Sequence, residues 1–406
     1  MKHFAWAILF LLGAPASFAA QPVKASTAEK AMAVKDSNAF AANLYGQLAR
    51  QQGNLFFSPE SISTAFAMTY AGARGETATQ MAQVFHFTLP PEQLQAAMGA
   101  LLAGMNAKHQ GYELHVADAL WAQRDESFLQ SYLDVVQNNY GAGLHQANFK
   151  TQPEAVRNSI NRWVEQQTND KITNLIGPGV LTPLTRLVLT NAIYFKGEWS
   201  SPFAASETKD EEFHLAGGRV VKTAMMHRTG EYPYYDGGNF QALELPYAGG
   251  DLAMVVLLPK DAAGLPALEK SLTGAGLGKW MENLKPAEKV ILTLPRFKMT
   301  REFELSGVLA KMGMPQAFSS HADFSGMTGK PGLTISAAIH KAYIDVNEKG
   351  TEAAAATSTV MRATAMRRQI PQQPIVFRAD HPFVFLIRDR NTGSILFMGR
   401  VEEPAQ

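Results

Sequence analysis

The spacing of apolar positions changes character partway along the chain. In the first half it is helical. NAFAANLYGQLARQ (38–51), SPESISTAFAMTYAGARG (58–75) and AVRNSINRWVEQQT (155–168) each read as a helix. Ser58-Pro59 suits the first turn of the second, and its closing glycines suit a stop. In the second half, short apolar runs predict strands at 187–195, 251–259, 289–297, 341–346, 382–389 and 395–401. Helices first and strands later, without regular alternation, predict a mixed α+β domain and not a doubly wound parallel sheet. No repeat or linker-like break interrupts the pattern, so one large domain is expected over 37–403.

One connection departs from this pattern. Between KAYIDV (341–346) and IVFRADHPFVFLI (375–387) lies NEKGTEAAAATSTVMRATAMRRQIPQQP, with four consecutive alanines and few large apolar anchors. Compact domains that keep a connection this long usually use it, or leave it disordered. As a strand it would alternate its side chains between two faces. One face carries Thr351, Ala353, Ala355, Thr357, Thr359 and Met361, all uncharged. The other carries both charges, Glu352 and Arg362. Such a strand can lie on a packed core with its charges in water. Arg367 and Arg368 occupy both parities, so the buried face ends by Met366.

Composition narrows the chemistry. Hydrophobic residues make up 46% of the 406 and charged residues 18%, enough for a substantial core. A formal net charge of +1 gives no electrostatic case for a nucleic-acid partner. The absence of cysteine removes disulfides, cysteine nucleophiles and thiolate metal sites. Residues 1–19 have an early Lys2, an apolar run from Phe4 to Leu12 and small residues after it. That is a signal-peptide pattern, too short to span a membrane. The protein is therefore expected to be exported, periplasmic or secreted, with 20–36 a flexible tail and no membrane association. G-x-S-x-G, H-E-x-x-H and G-x-x-x-x-G-K-[ST] do not occur, and the ten histidines are scattered. The cluster Gly274-Ala275-Gly276-Leu277-Gly278-Lys279 fits no phosphate loop and reads as a turn between helices. A triad built from distant residues stays open, but nothing local marks an active site.

The long connection then gains a meaning. His340-Lys341-Ala342-Tyr343-Ile344-Asp345-Val346-Asn347-Glu348-Lys349-Gly350-Thr351-Glu352 and the alanines Ala353, Ala354, Ala355 and Ala356 resemble the hinge of the serpin protease inhibitors. NLFFSPESI (54–62), NAIYFKGEW (191–199), DHPFVF (380–385) and LFMGRV (396–401) resemble further motifs of that family, in the right order. The likeness spans roughly 37–403. It implies the serpin fold: helices around a large central mixed β-sheet, smaller sheets, and an exposed reactive loop at about 348–374. It also implies a mechanism. A serine protease attacks the loop as bait and forms an acyl-enzyme. The cut arm then inserts into the central sheet and carries the protease with it. No cofactor or metal is implied, the inhibitor is not an enzyme, and a monomer is expected. A non-inhibitory carrier or chaperone-like binder of the same fold is the alternative. The hinge is free of proline, charge and bulk from Ala353 to Thr359, which favours inhibition.

Other roles follow from the same likeness. Ser58, Ser61, Asn191 and His340 match a polar cluster where the sheet opens, and Trp199 matches the point of loop entry. The family's spacing from Glu348 places the cut at Thr364-Ala365. Counting back from Phe377 lands near Gln369-Ile370 instead, so the extra length is assigned to the return after the cut. A small residue there suits elastase-like or subtilisin-like proteases. Arg362, Arg367 and Arg368 offer trypsin-like alternatives, and cysteine proteases are a further possible class.

Overall fold

The structure, a computed structural model, describes residues 24–141, 144–351 and 373–404. The first helix runs Thr27–Leu48 and starts inside the stretch expected as a tail. The cause is local. Ser26 Oγ accepts from Glu29 N–H at 3.2 Å, and Glu29 Oε2 accepts from Ser26 N–H at 2.7 Å. This reciprocal cap satisfies two free helix donors. The helix then buries Phe40, Leu44, Tyr45 and Leu48. Helix Pro59–Tyr70 is capped by Ser58 with Pro59 in its first turn, as expected, and is buried on every side from Pro59 to Thr69. Helix Pro153–Gln167 is amphipathic and buries Val156, Ile160 and Val164.

The strands in chain order begin with β1 (Leu55–Phe57), β2 (Tyr112–Gln123), β3 (Leu144–Ala147), β4 (Leu187–Glu198) and β5 (Lys209–His214). Then come β6 (Val220–Asp236), β7 (Phe240–Pro246), β8 (Leu252–Pro259), β9 (Lys285–Pro295) and β10 (Phe297–Glu304). The last are β11 (Ile335–Asn347), β12 (Gly350–Thr351), β13 (Ile375–Arg378), β14 (Phe383–Asp389) and β15 (Ile395–Val401). They form two sheets among the described residues. A nine-stranded sheet has the order β1-β15-β14-β8-β7-β6-β9-β13, with β5 on β6. A six-stranded sheet has the order β10-β11-β12-β4-β2-β3, with β11 also pairing β4 directly. Both are mixed, since β13–β9, β11–β4 and β2–β3 are parallel. This is the α+β architecture expected from the sequence, but the sheet that receives the hinge is the six-stranded one.

Aromatic side chains pack between the sheets, among them Phe56, Phe195, Tyr247, Phe385 and Phe397. The other face of the six-stranded sheet is covered too. There Ala192, Tyr194 and Tyr343 pack with Val156, Ile160 and Val164 of helix Pro153–Gln167. Burial on both faces erases the period-two pattern that betrays a strand. That is why β2 does not stand out in the first half of the chain. The Gly274–Lys279 cluster is also displaced from expectation. The turn is Leu272-Thr273, and the glycines open helix Gly274–Glu282. A Cβ on Gly274 would stand 2.8 Å from Ala39 Cα, so the glycine lets that helix touch the first one.

Candidate functional site

Asn347 ends β11, and the chain folds straight back on it. Asn347 stands opposite Gly350 and Val346 opposite Thr351. The far side of β12 pairs with β4, Gly350 opposite Glu198 and Thr351 opposite Gly197. The two hinge residues thus sit as a wedge between β4 and β11. Below the wedge those strands pair with each other, from Tyr343 opposite Tyr194 down to Ile335 opposite Leu187. The registers agree. A strand prolonged from Thr351 by three residues would be flanked by Tyr194 and Tyr343 together, the pair that now closes the sheet.

The wedge is held on several sides. The two-residue turn offers its carbonyls to Phe203 N–H (from Glu348, 2.8 Å) and Trp199 N–H (from Lys349, 2.8 Å). Trp199 is 3% exposed. Its Nε1–H donates to the Asn347 carbonyl at 3.0 Å, and its ring stacks on Tyr247 at 4.6 Å between centroids. Gly350 has φ of +154°. A Cβ there would lie 2.0 Å from the Gly197 carbonyl oxygen, so only glycine permits this approach. Glu348 is buried against Arg296 Nε, with oxygens at 2.8 and 2.9 Å, and accepts from Thr208 Oγ1 at 2.5 Å. A second guanidinium nitrogen, Nη2, also reaches it. Burial pushes the Glu348 carboxyl up, but the Arg296 and Thr208 hydrogen bonds outweigh it and hold it below the ordinary range.

Lower in the sheet, Asp118 on β2, Asn191 on β4 and His340 on β11 stand side by side in register. Ser58 and Ser61 rise to them from the helix beneath. Ser58 N–H donates to His340 Nε2 at 3.1 Å, so Nδ1 carries the proton and donates to Asn191 Oδ1. Asn191 Nδ2 donates to Ser61 Oγ at 2.6 Å and to Asp118 Oδ1. Ser61 Oγ–H donates in turn to Asp118 at 3.2 Å. Burial lowers His340 to about 3 and pushes Asp118 well above the carboxylate range. The network therefore bridges β2, β4, β11 and a buried helix through a neutral imidazole. The Asn191–His340 hydrogen bond spans the seam between β4 and β11.

Ser58, Ser61, Asn191, His340 and Trp199 are thus brought to one seam of one sheet, with Glu348, Gly350 and Thr351 at its top. The expected hinge residues Glu352 to Ala356, the bond Thr364-Ala365, and Arg362, Arg367 and Arg368 lie outside the described residues, as does 1–19. Among the described residues no group of three or more His, Cys, Asp or Glu side chains could hold a metal ion. No helix there is long and apolar enough to cross a membrane.

Comparison with known proteins decides the family. The model of the family described as serpin (serine protease inhibitor) matches residues 35–404. The chain belongs to the serpin family. This serpin is 42% identical over 368 residues to an uncharacterised serpin-like protein of Thermococcus kodakarensis, covering 90% of the chain and 84% of that protein. It is 40% identical over 376 residues to the leukocyte elastase inhibitor of Homo sapiens, covering 90% and 97%. Among solved structures it is similar to human thyroxine-binding globulin, with a TM-score of 0.83 and 32% identity, covering 93% of this chain and all of that one. The family supports protease inhibition as the general activity.

Four functional residues escape a reading of motifs. Arg296 and Thr208 hold the hinge glutamate from 52 and 140 residues away in sequence, and no local pattern joins such positions. Tyr247 supports both Trp199 and Thr351 from a loop with no distinctive spacing. Asp118 carried the one usable signal, a lone carboxylate inside the apolar run VADALWA.

Proposed function

We propose that this serpin is a suicide-substrate inhibitor of serine proteases that traps the acyl-enzyme by inserting its cut loop between β4 and β11. The observation that supports this best is the seated wedge, whose register continues that of the closed pair below. Prolonged in that register, Ala353 would lie between Phe195 and Ile344, Ala355 between Ile193 and Ala342, and Thr357 between Asn191 and His340. Those neighbours face the core between the sheets. Ala354 and Ala356 would face the opposite way, under helix Pro153–Gln167. Both faces of the incoming strand are covered, which gives a physical reason for four consecutive small residues. Glu352 would come beside Lys196, and Arg362 would pass the start of β4 at Leu187.

Insertion of about a dozen residues between two strands would form on the order of a dozen hydrogen bonds, each about 0.5–1.5 kcal/mol net. The sum, of order 10 kcal/mol, rivals the stability of a whole domain. That gain can hold a protease in a distorted state. We place the cut at Thr364-Ala365, with elastase-like or subtilisin-like proteases as targets. Similarity to a leukocyte elastase inhibitor favours this class. Trypsin-like enzymes cutting at Arg362, Arg367 or Arg368 are the alternative, and cysteine proteases a further class. We place the protein outside the cytoplasm on the pattern of residues 1–19, and we expect a monomer.

A second reading, a non-inhibitory carrier, draws on the likeness to thyroxine-binding globulin. Incubation with elastase, subtilisin and trypsin separates the two. A gel-stable covalent complex supports the inhibitor. Complete loop cleavage, with neither complex nor a rise in thermal stability, supports the carrier.

A further inference from the structure

Arg301 is out of place on β10. It shares its face of that strand with Met299 and Phe303, which pack into the apolar clusters. Its Nε is buried and meets no acceptor, and its guanidinium makes no hydrogen bond or ion pair among the described residues. A buried donor without a partner carries its full desolvation cost. The neighbouring acids cannot relieve it. Glu302 and Glu304 alternate to the opposite face of the strand. There Glu302 holds Lys341 at 3.0 Å, and Glu304 accepts from Ser306 N–H at 3.1 Å.

Arg301 lines a cleft of about 1220 Å³. The cleft runs between Ala49 at the end of the first helix, the β5–β6 turn at Leu215–Arg219, the start of helix Leu265–Ser271, and Glu402–Pro404 after β15. No residue of β4, β11 or β12 lines it, so it is separate from the seam. Three carboxylates border it, and each is committed. Glu269 accepts from the Tyr45 hydroxyl and from Arg400 Nη1, both at 2.8 Å. Glu402 accepts from Gly53 N–H at 2.6 Å and pairs with Arg400 Nε at 3.1 Å. Glu403 pairs with Arg219 at 2.8 Å. Arg400 is saturated too, since the carbonyls of Ala49, Gln51 and Gly53 take its N–H groups at 2.6–3.2 Å. Of the three arginines in the cleft, Arg301 alone has no carboxylate among the described residues. Much of the remaining wall is apolar, including Leu215, Ala263, Leu265 and Pro266.

We propose that this cleft binds a small monocarboxylate with an apolar body. Its carboxylate sits on Arg301 and its body lies along Leu215, Ala263 and Leu265. A guanidinium fork matches a carboxylate with two parallel hydrogen bonds. The ligand's oxygens supply the acceptors that the chain does not, and its apolar body leaves water against the apolar wall. The three glutamates set the limit on charge. A second negative group on the ligand would face them, so dicarboxylates and polyanions are disfavoured. A ligand held by the folded protein alone stabilises it by mass action. The proposal does not rest on the inhibitory reading, because the cleft and the seam share no residue.

The test titrates the intact protein with decanoate, and with decanol and decanedioate as probes of the same chain length. Calorimetry reads affinity, and the melting temperature reads binding to the folded state. Decanoate should bind one to one and raise the melting temperature. Decanol and decanedioate should bind at least about tenfold more weakly. Arg301→Gln removes a cation that has no partner, so without ligand it should melt close to the parent. Its affinity for decanoate should fall at least about tenfold. Arg301→Lys keeps the charge but not the fork and should fall between the two. Ala263→Trp keeps Arg301 and fills the cleft, and it should lose binding as well. Equal affinity for decanoate and decanol, or parent-like affinity in Arg301→Gln or Ala263→Trp, would reduce binding to apolar adsorption elsewhere and overturn the site. Absence of binding at millimolar decanoate would overturn it too. Each of these results leaves trapping by insertion untouched.

Discussion

The Thr351 hydroxyl lies 2.7 Å from that of Tyr247, and neither is exposed to water. Thr351 is the last hinge residue described, and Tyr247 is the floor on which Trp199 stacks. The wedge is therefore anchored by its side chain as well as by its ladder. Tyr247→Phe removes one buried hydrogen bond and strands the threonine hydroxyl, a loss of about 1–3 kcal/mol. Amide exchange at Thr351 and Gly197 should accelerate, with the rest of β4 and β11 unchanged. Unaltered exchange at both amides would show that the contact does not hold the wedge.

Arg296 is half-exposed, but the carboxylate it serves is not. Arg296→Ala leaves Glu348 buried with only Thr208, and loss of a charge-assisted bond costs about 1.5–3 kcal/mol. The depressed Glu348 carboxyl adds a pH dependence of definite sign. Its folded-state value lies below the unfolded one, so it contributes stability above pH 4.5, lost as pH falls through the folded value. The variant should melt several degrees lower at pH 7. The gap from the parent should narrow as pH falls below 4.5, and a constant gap across that range would contradict the assignment.

His340 makes the chain acid-sensitive. Folded, it stays neutral down to about 3, whereas a free imidazole takes its proton near 6.5. Between these values the unfolded state binds the extra proton, so stability falls as pH falls, by at most about 1.4 kcal/mol per unit. Asp118 has the opposite sign. Its raised carboxyl binds a proton more readily when folded and offsets part of the loss. His340→Gln should melt lower at pH 7.5 but lose less between pH 7.5 and 5. Equal slopes for parent and variant would contradict a neutral buried His340.

The proposed insertion can be blocked without touching the bait. Ala355→Arg would set a charge between Ile193 and Ala342, both fully buried. An unpaired buried charge costs several kcal/mol. Cleavage at the bait should proceed at the parent rate, with little covalent complex and no rise in melting temperature. Parent-like complex yield from this variant would rule out insertion in the register given by β12.

How far the sequence shows all this depends on distance along the chain. The turn at Glu348-Lys349 and the glycine at 350 are local features, and they lie inside the stretch that resembles the family's hinge, which continues beyond the described residues. Ser58-Pro59 reads as a helix start for the same reason. The early beginning of the first helix was open to the same kind of reading, since Ser26 and Glu29 form the cap, yet apolar spacing alone points to a later start. β2 is hidden because both faces of its sheet are covered. The Glu348–Arg296 clamp and the Tyr247–Thr351 contact join positions that only the folded sheets bring together.

One reaction of the intact protein tests trapping by insertion most directly. Mixed with an elastase-like or subtilisin-like protease, it should form a one-to-one complex that survives denaturing gels. The released peptide should begin at Ala365 by mass, and the loop-cleaved protein should melt well above the uncut one. Complete cleavage of the loop with the protease left fully active, no complex and no gain in melting temperature would contradict trapping by insertion.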